Sequence, residues 1–83
     1  MQSFKICVIG LGYVGLPLAR LFSTKFQTIG FDKNQARVEE LNSGYDSTLE
    51  VEDNLLQEAI NKHGFKCTTN IEDIKESNFY VVA

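Results

Sequence analysis

The stretch Gly10-Leu11-Gly12-Tyr13-Val14-Gly15 constrains this chain more than any other. Its glycines have the spacing G-x-G-x-x-G and follow Phe4-Lys5-Ile6-Cys7-Val8-Ile9, which is apolar almost throughout. Such a run suits a strand buried on both faces, as in a parallel sheet. After the glycines, Val14, Leu18, Leu21 and Phe22 recur at i, i+4, i+7 and i+8, which predicts a helix with those residues as its buried stripe. Pro17 falls in the first turn of that helix, where a missing N–H costs little. A strand, a glycine turn and a helix in immediate succession open a βα unit.

The remainder of the chain continues the alternation. Thr28-Ile29-Gly30-Phe31 reads as a second short strand ending at Asp32. Asn34 is a candidate N-cap for a helix carrying Ala36, Val38 and Leu41 and closed by Ser43-Gly44. Tyr45 to Val51 shows no periodicity and reads as a loop. Leu55, Leu56, Ala59 and Ile60 mark a third helix, with Glu50, Glu52 and Asp53 expected in its first turn and His63-Gly64 at its end. Phe65 to Thr68 is strand-like, Thr69 or Asn70 can cap a single turn around Ile71 to Ile74, and Phe79 to Ala83 is strand-like again. The pattern predicts an α/β fold: a Rossmann-type parallel sheet with helices on both faces, incomplete at about four strands. The last strand has no helix after it, whereas a parallel sheet needs both faces covered. Residues 1–83 therefore read as the N-terminal part of a dinucleotide-binding domain, with catalytic and substrate domains expected outside this chain.

Composition sets the remaining bounds. Eighty-three residues allow one small domain, and 11 acids against 8 bases argue against a general nucleic-acid binder. No apolar run approaches the roughly 20 residues of a membrane span, so no membrane role is expected. A signal-peptide cleavage site is also missing. Cys7 and Cys67 form neither a disulfide framework nor a CxxC pair; they read as inert core thiols in a reducing cytoplasm. His63 reads as a partner of a helix C-terminus, and no residue set suggests a metal site. The charges are unevenly placed. Residues 1–31 carry Lys5, Arg20 and Lys25 and no acid, while residues 32–83 carry five bases and eleven acids. An acid-free first third suits a segment that faces an anion.

The glycine spacing gains specificity from its context. It follows a strand, opens a helix, and precedes an acid at the end of the second strand, Asp32, which lies 17 residues after Gly15. In a dinucleotide site Gly10 permits the tight turn, Gly12 lets backbone N–H groups approach a pyrophosphate, and Gly15 lets helix and strand pack closely. The helix start offers unpaired N–H donors and partial positive charge. Asp32 can accept hydrogen bonds from the adenosine ribose, which favours NAD; it can equally serve as a turn acid ahead of Asn34. The candidate cofactor-binding residues are Gly10, Leu11, Gly12, Tyr13, Val14, Gly15, Asp32, Lys33 and Arg37. Val14 can line the cofactor groove, pack in the core, or do both. Arg37 falls in the first turn of the second helix, either near the adenine end of the cofactor or as a solvated surface charge; Lys33 and Arg37 can swing to solvent and leave Asp32 nearest the ribose.

The run from Lys5 to Ala19, with Tyr13-Val14-Gly15-Leu16-Pro17-Leu18-Ala19 extending the glycine pattern, resembles the start of the UDP-glucose/GDP-mannose dehydrogenase family. Gly30-Phe31-Asp32 and Arg37 to Gly44 also resemble that family, and Asp46-Ser47-Thr48-Leu49-Glu50-Val51 is similar to its branch acting on UDP-N-acetylhexosamines. The resemblance implies an NAD-dependent oxidation of a nucleotide-sugar C6 alcohol to a carboxylate, for surface polysaccharide synthesis, by a homo-oligomeric enzyme. It places the catalytic Cys and its Lys and Asn partners beyond this chain, so no catalytic residue is assigned here. By position Val14, Asp32 and Arg37 match the family's cofactor contacts. Two other readings share the strand–glycine–helix–strand–acid order: a dinucleotide-sensing module of a transport system, and a dehydrogenase of the 6-phosphogluconate or hydroxyacyl-CoA type.

Overall fold

The structure, a computed structural model, describes residues 4–83. Strands β1 (Lys5–Ile9), β2 (Gln27–Phe31), β3 (Lys66–Thr68) and β4 (Phe79–Val82) pair in parallel in the order β3-β2-β1-β4. Helices α1 (Gly15–Ser23), α2 (Gln35–Asn42) and α3 (Asp53–His63) connect the first three strands. A single 3-10 turn, Ile71–Ile74, leads into β4. Because β1 has β2 on one side and β4 on the other, the winding reverses at β1. Open α/β sheets place ligands at the carboxyl end of the strands at such a reversal, here next to Gly10.

Alternation along β1 divides the core in two. Ile6 and Val8 join Leu16 and Ala19 of α1, Val38 and Leu41 of α2, and Leu56 and Ala59 of α3 in one buried cluster. Cys7 points the other way, to Ile29 and Ile74, so the second face is covered by the 3-10 turn. The Tyr80 hydroxyl ties β4 to that turn by donating to the Ile74 carbonyl at 2.8 Å. Local signals set the ends of the elements. The Asn34 side chain accepts from the Arg37 N–H at the start of α2. The Asn70 side chain accepts from the Glu72 N–H. Gly64 ends α3 at a φ of 72°, where a residue with a Cβ is disfavoured.

The buried stripe of α1 differs from the one its apolar spacing predicts. Gly15, Leu16, Ala19 and Ser23 are buried, Phe22 is half-buried, and Val14 and Leu21 are exposed. Small residues face the sheet because the helix sits close to it, and a pattern read from large apolar residues overlooks them. Ser23 satisfies its hydroxyl by donating to the Arg20 carbonyl at 2.6 Å. Ala36 is likewise exposed, leaving Val38 and Leu41 as the buried residues of α2. Glu50 lies in the loop before α3 and Glu52 at its N-cap, so only Asp53 of the expected acids occupies the first turn. Among the described residues no helix is long and apolar enough to cross a membrane.

Candidate dinucleotide site

The glycine turn is stitched to β2 and packed against its own helix. Gly10 has a φ of 98° and donates its N–H to the Phe31 carbonyl at 2.8 Å. A Cβ on Gly15 would stand 1.6 Å from the Gly10 carbonyl oxygen, so only glycine fits where α1 meets the turn. Gly12 is the opposite case: nothing lies within 4 Å of the position its Cβ would take. The absence of a side chain there serves no internal packing and leaves the backbone open to the outside.

Leu11 contributes in a way the glycine spacing does not reveal. Its side chain is fully buried and lies over β2, where a Cβ on Gly30 would come within 2.9 Å of both Leu11 methyl groups. Its peptide groups are gripped from both sides. The Leu11 N–H donates to Asp32 Oδ2 at 3.0 Å. The Leu11 carbonyl accepts from Arg37 Nε at 2.9 Å and from Arg37 Nη2 at 2.7 Å. With that carbonyl occupied, the N–H groups of Gly12, Tyr13, Val14 and Gly15 have no acceptor among the described residues. No acid lies in the first turn of α1. A row of free donors at the positive end of a helix is a ready site for an anion. Tyr13 and Val14 are exposed beside it, which excludes core packing for Val14.

Asp32 stands half-buried at the end of β2. Besides holding Leu11, it accepts from the Asn34 N–H through Oδ1 at 2.9 Å, so it is a turn acid as well as a candidate ribose acceptor. The two functions are compatible, because a carboxylate has about four lone-pair sites and two are used. Asp32, Lys33, Ile9, Gly10 and Phe31 line a cavity of about 190 Å³ at the carboxyl ends of β1 and β2. Lys33 is exposed, as expected. Arg37 does not swing to solvent. Its side chain is 11% exposed, and all three of its side-chain nitrogens are hydrogen-bonded, with Nη1 donating to Glu40 Oε2 at 3.0 Å and Asp46 Oδ1 at 2.8 Å.

Asp46 is the residue that the sequence hides. It lies in the aperiodic loop after α2 and is completely buried. Its Oδ1 accepts from Arg37, from the Thr48 N–H at 3.0 Å and from the Thr48 hydroxyl at 2.6 Å. Its Oδ2 accepts from the N–H groups of Glu50 and Val51, each at 3.0 Å. Glu40 accepts from the Ser47 N–H as well as from Arg37, and the Ser47 bond is the chief reason its carboxyl is lowered. A short polar segment without periodicity thus folds around one carboxylate. Acids spaced closely with Ser and Thr were the available signal.

The ionisation of Asp46 makes a testable contribution to stability. Burial pushes its carboxyl up, but the hydrogen bonds from Thr48, Arg37 and Val51 outweigh burial and hold it at about 2. A carboxylate depressed from an unfolded value of about 3.9 contributes stability above that value. The contribution, about 2 kcal/mol, is lost as pH falls toward the folded value. Chemical denaturation of the protein is therefore expected to lose about that much stability between about pH 4 and pH 2 at this site. Asp46→Asn should flatten that part of the profile.

The other chemistry-bearing residues do not line the cavity beside Asp32. Cys7 and Cys67 are buried free thiols; burial raises both, Cys67 to about 12, so neither is a thiolate near neutrality. His63 sits in the last turn of α3. Among the described residues no cluster of three or more His, Cys, Asp or Glu could hold a metal ion. What remains is a turn with free N–H donors, open space over Gly12, and an acid with spare acceptor capacity at the end of β2. That donor set fits a dinucleotide, whose pyrophosphate the α1 turn would hold and whose ribose Asp32 would hold.

Comparison with known proteins agrees with this geometry. The profile described as "UDP-glucose/GDP-mannose dehydrogenase family, NAD binding domain" matches residues 4–83. The chain is 50% identical over 82 residues to the UDP-N-acetyl-D-glucosamine 6-dehydrogenase of Salmonella typhi, covering 99% of this chain and 19% of that protein. It is 46% identical over 82 residues to the Pseudomonas aeruginosa enzyme of the same name, with the same coverage. Its backbone is similar to that of the UDP-D-ManNAc dehydrogenase of Pyrococcus horikoshii, with a TM-score of 0.91 and 34% identity over 96% of this chain and 20% of that one. The chain thus spans about a fifth of the length of these relatives. On the matched profile, which extends over every described residue, the chain belongs to the UDP-glucose/GDP-mannose dehydrogenase family and carries sequence of its NAD-binding domain.

Proposed function

We propose that this chain is the NAD-holding segment of a nucleotide-sugar 6-dehydrogenase, one that oxidises the C6 alcohol of a UDP-N-acetylhexosamine to a carboxylate for surface polysaccharide synthesis. The observation that carries the reading is the set of N–H groups from Gly12 to Gly15 without an acceptor among the described residues, in a turn with open space over Gly12 and tied to Asp32 through Leu11. NAD, when bound, supplies the hydride acceptor; this chain supplies binding and orientation. Gly12, Tyr13, Val14 and Gly15 present donors to the pyrophosphate, and Asp32 receives the ribose hydroxyls. Arg37 holds the Leu11 carbonyl so that the turn keeps its shape. The substrate class is supported by the names of two relatives, 46% and 50% identical to this chain, which are UDP-N-acetyl-D-glucosamine 6-dehydrogenases. Two buried, unpaired thiols suit a reducing cytoplasm.

The test is turnover by the longer protein that carries this chain. With NAD and a UDP-N-acetylhexosamine it should form reduced nicotinamide, two per sugar, since alcohol to carboxylate releases four electrons. The isolated chain should form none. Failure of the longer protein on every UDP-N-acetylhexosamine would contradict the substrate assignment. Sustained turnover by the isolated chain would contradict the division of labour.

A further inference from the structure

A planar trans peptide points its C=O and its N–H in opposite directions, so whatever fixes one aims the other. The Leu11 carbonyl and the Gly12 N–H belong to one such peptide, at the start of the row of free donors. Arg37 grips that carbonyl through Nε at 2.9 Å and Nη2 at 2.7 Å, which directs the Gly12 N–H away from the guanidinium. The grip matters because Gly12 has no Cβ. Its φ is not positive as the turn stands. Turning the peptide over carries it to positive φ, where glycine goes at little cost. The Leu11 oxygen would then stand where the Gly12 N–H had been and would repel a phosphate.

Arg37 is itself held from behind. Its Nη1 donates to Glu40 at 3.0 Å and to the fully buried Asp46 at 2.8 Å. Asp46 is fixed by four further donors from Thr48, Glu50 and Val51, so its position does not depend on the guanidinium. Four of the five guanidinium N–H groups are used in this way, and the remaining one, on Nη2, has no acceptor among the described residues. A contact from Arg37 to a bound cofactor is therefore compatible with the hold on Leu11.

We propose that Asp46 is a positioning residue for the pyrophosphate: it locks the Arg37 guanidinium onto the Leu11 carbonyl and so aims the Gly12 N–H at the anion. The inference rests on the reading that this turn holds a dinucleotide, and it gives a task to a buried charge that makes no hydrogen bond to the turn itself. Charge and positioning act with opposite signs here. A carboxylate near an anion site repels the anion, so loss of the Asp46 charge alone would tighten NAD binding. Loss of the hold on Arg37 weakens it.

The test is a double-mutant cycle on NAD binding in the longer protein that carries this chain, at one ionic strength. The variants are Asp46→Asn, Arg37→Met and the two combined, with Asp46→Ser as a second neutral replacement should the Asn amide fit the loop poorly. The NAD dissociation constant should rise about ten-fold in Asp46→Asn or Asp46→Ser, equivalent to about 1.4 kcal/mol. KM for NAD should rise with it, while kcat at saturating NAD stays within about two-fold. In the Arg37→Met background the same Asp46 substitution should change NAD affinity by less than about two-fold, because the residue through which it acts is gone. A crystal structure of the Asp46 variant should show Arg37 no longer bridging to the Leu11 carbonyl. Unchanged or tighter NAD binding, an equal loss with and without Arg37, or a weakened variant in which that bridge persists would overturn the proposal. So would failure of both Asp46 variants to fold, which would assign Asp46 to the fold alone. Failure of the wild type to bind NAD would instead overturn the reading on which the inference rests.

Discussion

Gly12→Val is expected to abolish NAD binding while leaving the fold intact. Nothing in the protein lies within 4 Å of the new Cβ, and Gly12 has no positive φ, so neither packing nor backbone conformation opposes the substitution. On the proposed reading the added methyl groups fill the open space over Gly12, where a pyrophosphate approaches the N–H groups of the turn within hydrogen-bonding distance. A dinucleotide kept beyond that distance loses several charge-assisted bonds at once, each contributing about 1.5–3 kcal/mol. An affinity loss of at least about 100-fold, or about 2.7 kcal/mol, follows from losing one or two of them. Calorimetry against NAD and far-UV circular dichroism on the same sample check both halves. Unchanged affinity would remove Gly12 from the site.

The same replacement three residues later should have the opposite phenotype. Gly15→Val places a Cβ 1.6 Å from the Gly10 carbonyl oxygen, a backbone atom that cannot rotate away. Either α1 lifts from the sheet or the turn opens. Lifting α1 withdraws Leu16 and Ala19 from the main buried cluster, and opening the turn breaks the Gly10 to Phe31 hydrogen bond. Overpacking of this kind costs about 3 kcal/mol or more, a large part of the 5–15 kcal/mol typical of a domain. Denaturant unfolding should show that loss directly, with cofactor binding falling only as a consequence. A Gly15→Val protein of wild-type stability would mean that the close approach of helix and strand is not required.

The contrast between these glycines marks how far the sequence could be read. The four strands, their parallel sense and the caps at Asn34, Gly64 and Asn70 follow from local chemistry, because a strand run, a turn residue and a cap act over a few positions; the strand order does not, since it depends on which strands pair across the chain. The face of α1 did not follow. Helix patterns are read from large apolar residues, whereas closeness to the sheet selects Gly15, Ala19 and Ser23. The glycine turn was legible in the positive φ of Gly10, the close packing at Gly15 and the open position at Gly12. The site was not legible at Arg37, whose guanidinium is held by a carbonyl 26 residues away and by a carboxylate 9 residues away. Those partners are brought together by packing of α2 on the sheet, and no spacing rule links them. Asp46 was hidden for the same reason, since its donors come from a loop whose order is a product of the carboxylate itself.

On the proposed function, this crevice reads an adenosine ribose carrying two free hydroxyls through Asp32. The most direct measurement is an equilibrium titration of the longer protein with NAD and NADP at one ionic strength, in the wild type and in Asp32→Ala. The wild type should prefer NAD by about ten-fold or more, since a 2′-phosphate would meet a carboxylate that is already half-buried. Asp32→Ala should weaken NAD and narrow the gap without a strong gain in NADP affinity, because Arg37 remains held by Asp46 and Leu11. Equal wild-type affinities for the two cofactors, or an unchanged ratio in Asp32→Ala, would contradict the claim.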